Sequence, residues 1–383
     1  MNKYGSVVIV THESTTGPAH DLREYLIPKT QELLFIAHPL LFAPTSYANS
    51  SYYQLYKNGK LIKTHTAVHY TGLELFLYLK DSILTFLWTW TLLKKCDVFI
   101  GNGNLNAFPG IILKFFGKVH YRVFYCIDYV PKRFENKYIN QFYHLIDKIC
   151  VEKCDKIWNL CHRMAEARKE KWGKDFPKQI TVPIGAWVER IKRLPFEKVN
   201  KTEIIYMGTL REVQGVQLVI KAMVTVKKQI PSITFRIIGR GPYEEELKAL
   251  AKKLHLEKQV TFTGYVEDHR DVENMIAKGA LAMAMYNPNN NPFTYYTDPG
   301  KVKSYLAAGV PVVITDLPYV AKEVEKRKCG IIVEYNENSL AKEITKFLKN
   351  EKTLKEYKEN AVKFAKEFDW NKVFTYAMDS TIK

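Results

Sequence analysis

The sequence predicts an α/β protein of two domains, each a doubly wound parallel sheet with helices on both faces. Three observations point there. The chain has 383 residues, of which 46% are hydrophobic and 13% aromatic, enough to fill two cores. Short β-branched runs alternate with helical patterns from one end to the other. In the second half, three of those runs stop at glycine (Gly208, Gly239 and Gly264), a residue that lets another group come close to the backbone.

Taken in order, residues 6–11 make a buried strand. The loop His12-Glu13-Ser14-Thr15-Thr16-Gly17 follows, and Pro18 opens a helix. His12 and His20, at the strand end and in the first helical turn, can each touch a substrate or serve structure alone. Residues 33–36 are a second strand. Asn58-Gly59 between alternating runs suits a type I′ turn, so residues 51–65 read as an inserted hairpin. Residues 73–93 form a long apolar helix whose longest uncharged run, 82–93, falls short of the roughly 20 residues that span a bilayer. That helix is either buried or faces lipid in part, helped by Trp88, Trp90, Lys94 and Lys95.

Strand 98–101, helix 105–116 and strand 121–127 continue the alternation. Asp128 ends the last of these strands, on the edge where open α/β sheets meet ligands. It reads either as a ligand-facing carboxylate or as a cap or ion-pair partner of Lys132 or Arg133. Helix 138–151, strand 156–159, helix 162–172 and strand 179–182 complete a first domain over residues 1–185. Residues 186–201, with Pro195 and several charges, read as a linker.

The second domain, 202–367, begins with strand 204–207 and helix 216–229. Strand 234–238 leads to Gly239-Arg240-Gly241-Pro242 and helix 243–254, strand 260–263 leads to Gly264-Tyr265-Val266, and strand 281–285 follows. In the stretch from Asn291 to Thr315, Asp298 is a suitable N-cap and Pro299 a suitable first helical residue. The helix then runs to Ala308, Gly309 ends it in the left-handed region, and residues 310–315 are a buried strand. A helix that starts beside Thr297, Asp298 and Lys301 offers unpaired N–H groups and a positive dipole end to an anion. A strand at 331–333 and helices at 339–349, 353–367 and 370–378 close the chain.

The formal charge is +17, with 28 Lys+Arg against 17 Asp+Glu in residues 1–200 and 29 against 23 thereafter. So basic a first half suits nucleic acid, anionic lipid or a phosphorylated substrate. The N-terminus has a five-residue apolar run, too short for a secretory signal, and a cytoplasmic location is expected. The six cysteines have no paired Cys-x-x-Cys spacing and no histidine at ligand distance, so they read as buried side chains without a metal.

Four blocks occur in this order: Tyr206-Met-Gly-Thr-Leu with Gly215; Phe235-Arg-Ile-Ile-Gly-Arg-Gly-Pro; Val260-Thr-Phe-Thr-Gly-Tyr-Val; and the helix and strand around Ala307-Ala-Gly-Val-Pro-Val-Val. Together they resemble the donor half of nucleotide-sugar glycosyltransferases of the GT-B fold, family 4. Val182-Pro183-Ile184-Gly185 resembles the hinge of that family. The resemblance implies GT-B architecture, two Rossmann-like doubly wound parallel-sheet domains facing across a cleft. A nucleotide-diphosphate sugar would be held by the second domain and a glycan or lipid-linked acceptor by the first, with residues 368–383 crossing back to the first. Transfer would be retaining, without a metal or other cofactor, and an anionic membrane surface is the further partner that the basic first half and the aromatics Tyr129, Phe134, Tyr138 and Phe142 suit. Nucleic acid is not an expected partner.

The implied substrate-binding residues are Gly17 and His20 in the first domain, and in the second Gly208, Thr209, Arg211, Gly239, Arg240, Gly241, Tyr265, Val266, Thr297, Asp298, Gly300 and Ser304. Asp128 and Lys301 are the implied catalytic pair. The pattern is incomplete. Thr209 and Gln214 stand where the family has an arginine and a lysine, and Tyr296 and Ser304 stand where it has paired glutamates. Lys301, Arg211 and Arg240 are then the cations left for a diphosphate. Two rivals stay open: a nucleotide-sugar epimerase of the same fold, and a non-catalytic relative that binds sugar or membrane.

Overall fold

The computed structural model describes residues 3–13, 16–38, 50–68, 74–289 and 291–382. Ser14, Thr15 and Leu73, within stretches read above, lie outside them. The chain divides into two compact units, one of Met1–Pro183 with Trp370–Lys383 and one of Ile184–Asp369.

The first unit opens with β1 (Tyr4–Thr11), α1 (Pro18–Leu26), β2 (Thr30–Ala37), β3 (Tyr52–Lys57) and β4 (Lys60–Thr66). Then come α2 (Glu74–Leu92), β5 (Cys96–Asn102), α3 (Asn104–Phe115), β6 (Val119–Cys126), α4 (Lys137–Lys153), β7 (Lys156–Asn159), α5 (His162–Trp172) and β8 (Gln179–Thr181). The sheet order is β4-β3-β2-β1-β5-β6-β7-β8, parallel except for the β3–β4 hairpin and its junction with β2. Asn58 and Gly59 both have positive φ, 47° and 81°, as the expected type I′ turn requires. Residues 7–10 of β1, 33–36 of β2 and 98–100 of β5 are buried, which explains why these strands read as unbroken apolar runs. Deeper still, Arg168 of α5 forms a buried ion pair with Asp147 of α4 (2.8 Å) and also donates to Asn159 and Gln179, so each of its charges has a fixed partner.

The second unit contains β9 (Asn200–Met207), α6 (Val216–Gln229), β10 (Thr234–Ile238), α7 (Glu244–Lys253), β11 (Val260–Gly264), α8 (His269–Ile276) and β12 (Gly279–Ala284). It continues with α9 (Pro292–Tyr296), α10 (Gly300–Ala307), β13 (Val312–Thr315), α11 (Val320–Lys326), β14 (Gly330–Val333), α12 (Glu337–Leu348) and α13 (Glu351–Ala365). All six strands are parallel in the order β11-β10-β9-β12-β13-β14. The last helix, α14 (Trp370–Ile382), returns to the first unit, where Thr375 bonds Tyr25 (2.8 Å) and Thr381 accepts from the Trp158 indole (3.1 Å). No helix among the described residues is long and apolar enough to cross a membrane.

Two expectations need correction. Residues 186–201 are part of the second unit: Arg190 pairs with Glu273 (3.0 Å), and Arg193 donates to the carbonyls of Val188 and Ala307 (both 2.9 Å). With both arginines held, a polar Pro-containing stretch is here an ordered strap. The second correction concerns α10, which starts at Gly300 with Pro299 as its N-cap and no side-chain cap. The Asp298 carboxylate accepts instead from the Ile184 N–H (2.9 Å) and pairs with Lys303 (3.2 Å). Finally, short helices α8, α9 and α11 carry too few turns for periodicity to announce them.

Candidate functional site

In the second unit the chain steps outward from β9 through β10 to β11, then crosses to the opposite side at β12. The loops after β9 and β12 therefore part company, leaving a crevice at the carboxyl ends of these strands. Gly208 follows β9 with φ 139°, and a Cβ there would come within 3.1 Å of Lys301 Nζ. Gly239 follows β10 with φ 130°, and a Cβ there would lie 2.1 Å from the Gly208 carbonyl oxygen. Hydrogen bonds from Gly208 N–H to Ile238 O and from Gly239 N–H to Gly264 O, both 2.9 Å, lace the three loops together.

Lys301, in the first turn of α10, projects into this crevice. Its ammonium donates to Gln214 Oε1 (2.5 Å) and Tyr206 Oη (3.1 Å), and it lies over the rings of Tyr206 and Tyr286. The Tyr206 hydroxyl in turn donates a hydrogen bond to the Thr209 carbonyl (2.9 Å). Tyr305, one turn along α10, accepts from Met207 N–H (2.7 Å) and so pins the helix to β9. No carboxylate among the described residues pairs with Lys301. Burial without a counter-charge lowers its pKa from 10.5 to about 7, so the cation is uncompensated until an anion arrives. Lys301 also puts its charge against Gln214, the position where the resemblance leaves a lysine missing.

The other expected residues divide. Arg211 and Arg240 are exposed, and their guanidinium groups make no ion pair among the described residues. Thr209 and Tyr265 are exposed beside them, with Val266 and Thr297 half-buried. Gly241 packs against the Leu210 backbone, and Gly300 opens α10, whose first N–H groups have no intrahelical partner. Asp298 and Ser304, by contrast, are buried. Burial raises the Asp298 pKa despite Lys303, and its carboxylate faces protein groups and not the crevice.

The first unit has its own switch point between β1 and β5, and a tight polar cluster occupies it. Glu13, just past β1, accepts from Asn102 Nδ2 (2.8 Å) at the end of β5 and from Ala19 N–H (3.1 Å) in the first turn of α1. Burial pushes its pKa up to about 8. Gly17 covers it: φ is 140°, and a Cβ would come within 2.0 Å of Glu13 Oε1. His20 donates to the Glu13 carbonyl (2.9 Å), and burial lowers its pKa to about 4, so it is neutral and committed to the loop. His12 meets Asp81 (3.4 Å) through one ring nitrogen and Asn106 (2.8 Å) through the other. Burial alone would raise the Asp81 pKa, but hydrogen bonds from His12 and His38 hold it well below the usual carboxylate range. Asp128 pairs with Arg133 and its carbonyl accepts from Tyr143 (3.2 Å), matching the ion-pair alternative offered for it.

Sequence reading did not single out Glu13, Asn102 or Asp81. The signal was present for the first two, which are polar residues at the ends of adjacent buried strands. For Asp81 there was none, because an aspartate in an apolar helix gives no sign of facing inward. Among the described residues, no group of three or more His, Cys, Asp or Glu is placed to hold a metal ion.

Residues 188–364, all within the second unit, match the family model described as "Glycosyl transferases group 1". The chain is 24% identical over 259 residues to the "Putative colanic acid biosynthesis glycosyltransferase WcaL" of Escherichia coli, covering 66% of this chain and 62% of that protein. It is 30% identical over 172 residues to the "N-acetylgalactosamine-N,N'-diacetylbacillosaminyl-diphospho-undecaprenol 4-alpha-N-acetylgalactosaminyltransferase" of Campylobacter jejuni, covering 44% of each. The chain spans less than two thirds of the length of the curated relatives it matches. Among solved structures, HepE of Anabaena in complex with UDP superposes with a TM-score of 0.70 at 14% identity, over 98% of this chain and 100% of that one. The fold expected from the sequence is therefore borne out: two parallel-sheet α/β units of the GT-B kind.

Proposed function

We propose that this chain is a glycosyltransferase that takes a sugar from a nucleoside-diphosphate donor held at the switch point of the second unit. The observation that carries the reading is the Lys301 ammonium, set among Gly208, Gln214 and the start of α10 with no carboxylate among the described residues to neutralise it. As the anomeric carbon loses its bond to the diphosphate, negative charge grows on the leaving oxygens. Lys301, the α10 N–H groups and the flexible guanidinium groups of Arg211 and Arg240 are the positive groups that would meet it. Glycines at 208 and 239 keep side chains out of that space, and Tyr265 offers an exposed ring beside it.

The first unit takes the acceptor in this reading, with Asp128 orienting its hydroxyl. The Campylobacter relative is named for a diphospho-undecaprenol acceptor and HepE was solved with UDP, which support a lipid-linked glycan as acceptor and a uridine nucleotide as donor. Retention of configuration and metal-independent transfer belong to the same reading. Calorimetry with UDP, GDP and ADP tests the donor site: Lys301→Met should bind its best nucleotide at least about tenfold more weakly than wild type. Equal affinities would remove Lys301 from the site. Anomeric NMR of the product and an assay after chelation test the remaining two points.

A further inference from the structure

α2 buries polar side chains among apolar ones such as Leu77 and Trp88, and leaves an apolar stripe on its outside. Its inward positions include Asp81, Thr85 and Thr89, all buried and the first two bonded to His38, whereas its outward stripe is Phe76, Leu79, Ile83, Leu87 and Trp90, all exposed and uncharged. Leu79 is 57% exposed. A helix on a water-facing surface shows the opposite pattern. α2 packs against α3 and α3 against α4, so the three helices cover one face of the first unit's sheet. Exposed apolar side chains recur on both neighbours: Ile112, Phe115 and Phe116 at the end of α3 (Phe115 is 85% exposed), and Tyr138, Ile139, Phe142 and Leu145 on α4. Trp90 stacks on Phe86 at 5.7 Å and meets Phe116 edge-on at 6.1 Å, so aromatic rings join the first two ridges.

Cations rim this face. Lys94 and Lys95 are exposed just past α2, and Lys137 is exposed at the start of α4. Lys118 donates to the Trp90 carbonyl (2.8 Å) with its ammonium 5.1 Å from the indole. Lys94, Lys95 and Lys137 have no ion pair among the described residues, so their charge is left for an outside partner.

We propose that the first unit rests on an anionic lipid bilayer through the outward faces of α2, α3 and α4. The apolar ridges enter the interface, Trp90 and Tyr138 sit at headgroup level, and the lysines meet lipid phosphates. A bilayer supplies apolar depth and negative charge side by side over the whole width of three helices, which is what this surface complements. The proposal rests on the lipid-linked acceptor of the reading above, whose chain would be anchored in that bilayer.

The test is co-sedimentation of the full chain with vesicles of phosphatidylcholine alone or mixed with phosphatidylglycerol, with nucleoside-diphosphate affinity measured in parallel. Wild type should bind more as phosphatidylglycerol rises and less as salt rises. The double substitution Leu79→Glu with Leu87→Glu, and separately Phe115→Ser, should weaken partition about tenfold or more with nucleotide affinity unchanged. Lys94→Glu with Lys95→Glu should flatten the response to phosphatidylglycerol. Wild-type binding to neither vesicle, or variants that bind as wild type does, would overturn the proposal. So would a wild-type dimer in ultracentrifugation that the α2 substitutions dissociate, because the face would then be a protein interface. Loss of nucleotide binding by wild type would instead sink the donor reading and leave the vesicle result standing.

Discussion

Each unit gathers polar groups at the switch point of its sheet, but the two gatherings are built in opposite ways. In the second unit the Lys301 ammonium faces glycines and two tyrosines, and no acid among the described residues pairs with it. In the first, acids, imidazoles and amides bond one another: Glu13 to Asn102 and Ala19, Asp81 to His12 and His38. An uncompensated charge is costly until a ligand neutralises it, whereas the first unit's acids already have hydrogen-bonding partners, and only Asn102 Oδ1 and His20 Nδ1 of the groups named for that cluster lack one. The difference teaches where to look for affinity and where for rigidity.

The sharpest way to break the comparison is to cut a buried ion pair in each unit. Arg168→Met strands Asp147 together with acceptors on Asn159 and Gln179, and it should cost about 3–5 kcal/mol. Lys303→Met strands only Asp298, which retains the Ile184 N–H and whose carboxyl is already biased toward its neutral form by burial. It should cost clearly less, about 1–3 kcal/mol. Urea denaturation of both variants checks the ranking. A larger loss from Lys303→Met would show that the second unit depends on its ion pair more than its bonding suggests.

Catalysis comes next in size. If Asp128 orients the acceptor hydroxyl, Asp128→Asn should lower turnover by about 10², roughly 2.7 kcal/mol, with donor affinity retained. Normal turnover would return Asp128 to its place as the partner of Arg133. In the second unit, Lys301→Met should weaken nucleoside-diphosphate binding about tenfold, near 1.4 kcal/mol. Steady-state kinetics with calorimetry on both variants separates the roles: one loss falls on turnover, the other on affinity.

The folds were legible because parallel sheets buried on both faces write long apolar runs, and β1, β2, β9, β12 and β13 all carry them. The donor-side glycines were legible for a related reason, since Gly208 and Gly239 sit where any Cβ meets neighbouring atoms. The start of α10 was misjudged because Asp298-Pro299 has the local chemistry of a cap, and only the tertiary partners Ile184 and Lys303 draw the carboxylate away. α2 was harder. Its periodicity states which residues share a face but not which face turns inward, and burial of Asp81 and Thr85 depends on His38 and Ser51, which are distant in sequence. Glu13 was hidden by its loop. Nothing local distinguishes a solvated glutamate from one closed under Gly17.

The two switch points should also respond to pH in opposite directions, which gives the most direct test of how they differ. Glu13 has its pKa raised to about 8 from an ordinary 4.5, so the folded state holds a proton that the unfolded chain releases. Its contribution to stability is complete below about 4.5 and is lost as pH rises through 8. Lys301 has its pKa lowered to about 7 from 10.5, as does Lys358, which is buried in α13 and donates to the Gly279 carbonyl (3.0 Å). Between about 7 and 10.5 the unfolded chain binds the protons that these lysines shed on folding, so stability gained there rises with pH. Glu13→Gln keeps the neutral shape and should be more stable than wild type at pH 8 but not at pH 4.5. Lys301→Met should be more stable than wild type at pH 6, with the gap closing toward pH 10, and adding Lys358→Met should widen the gap at pH 6. Melting curves across pH 4.5–10 for these variants decide it. A constant offset for Glu13→Gln would mean that its carboxyl is ionised in the fold, and the first unit's cluster would then carry a charge as open to a ligand as that of Lys301.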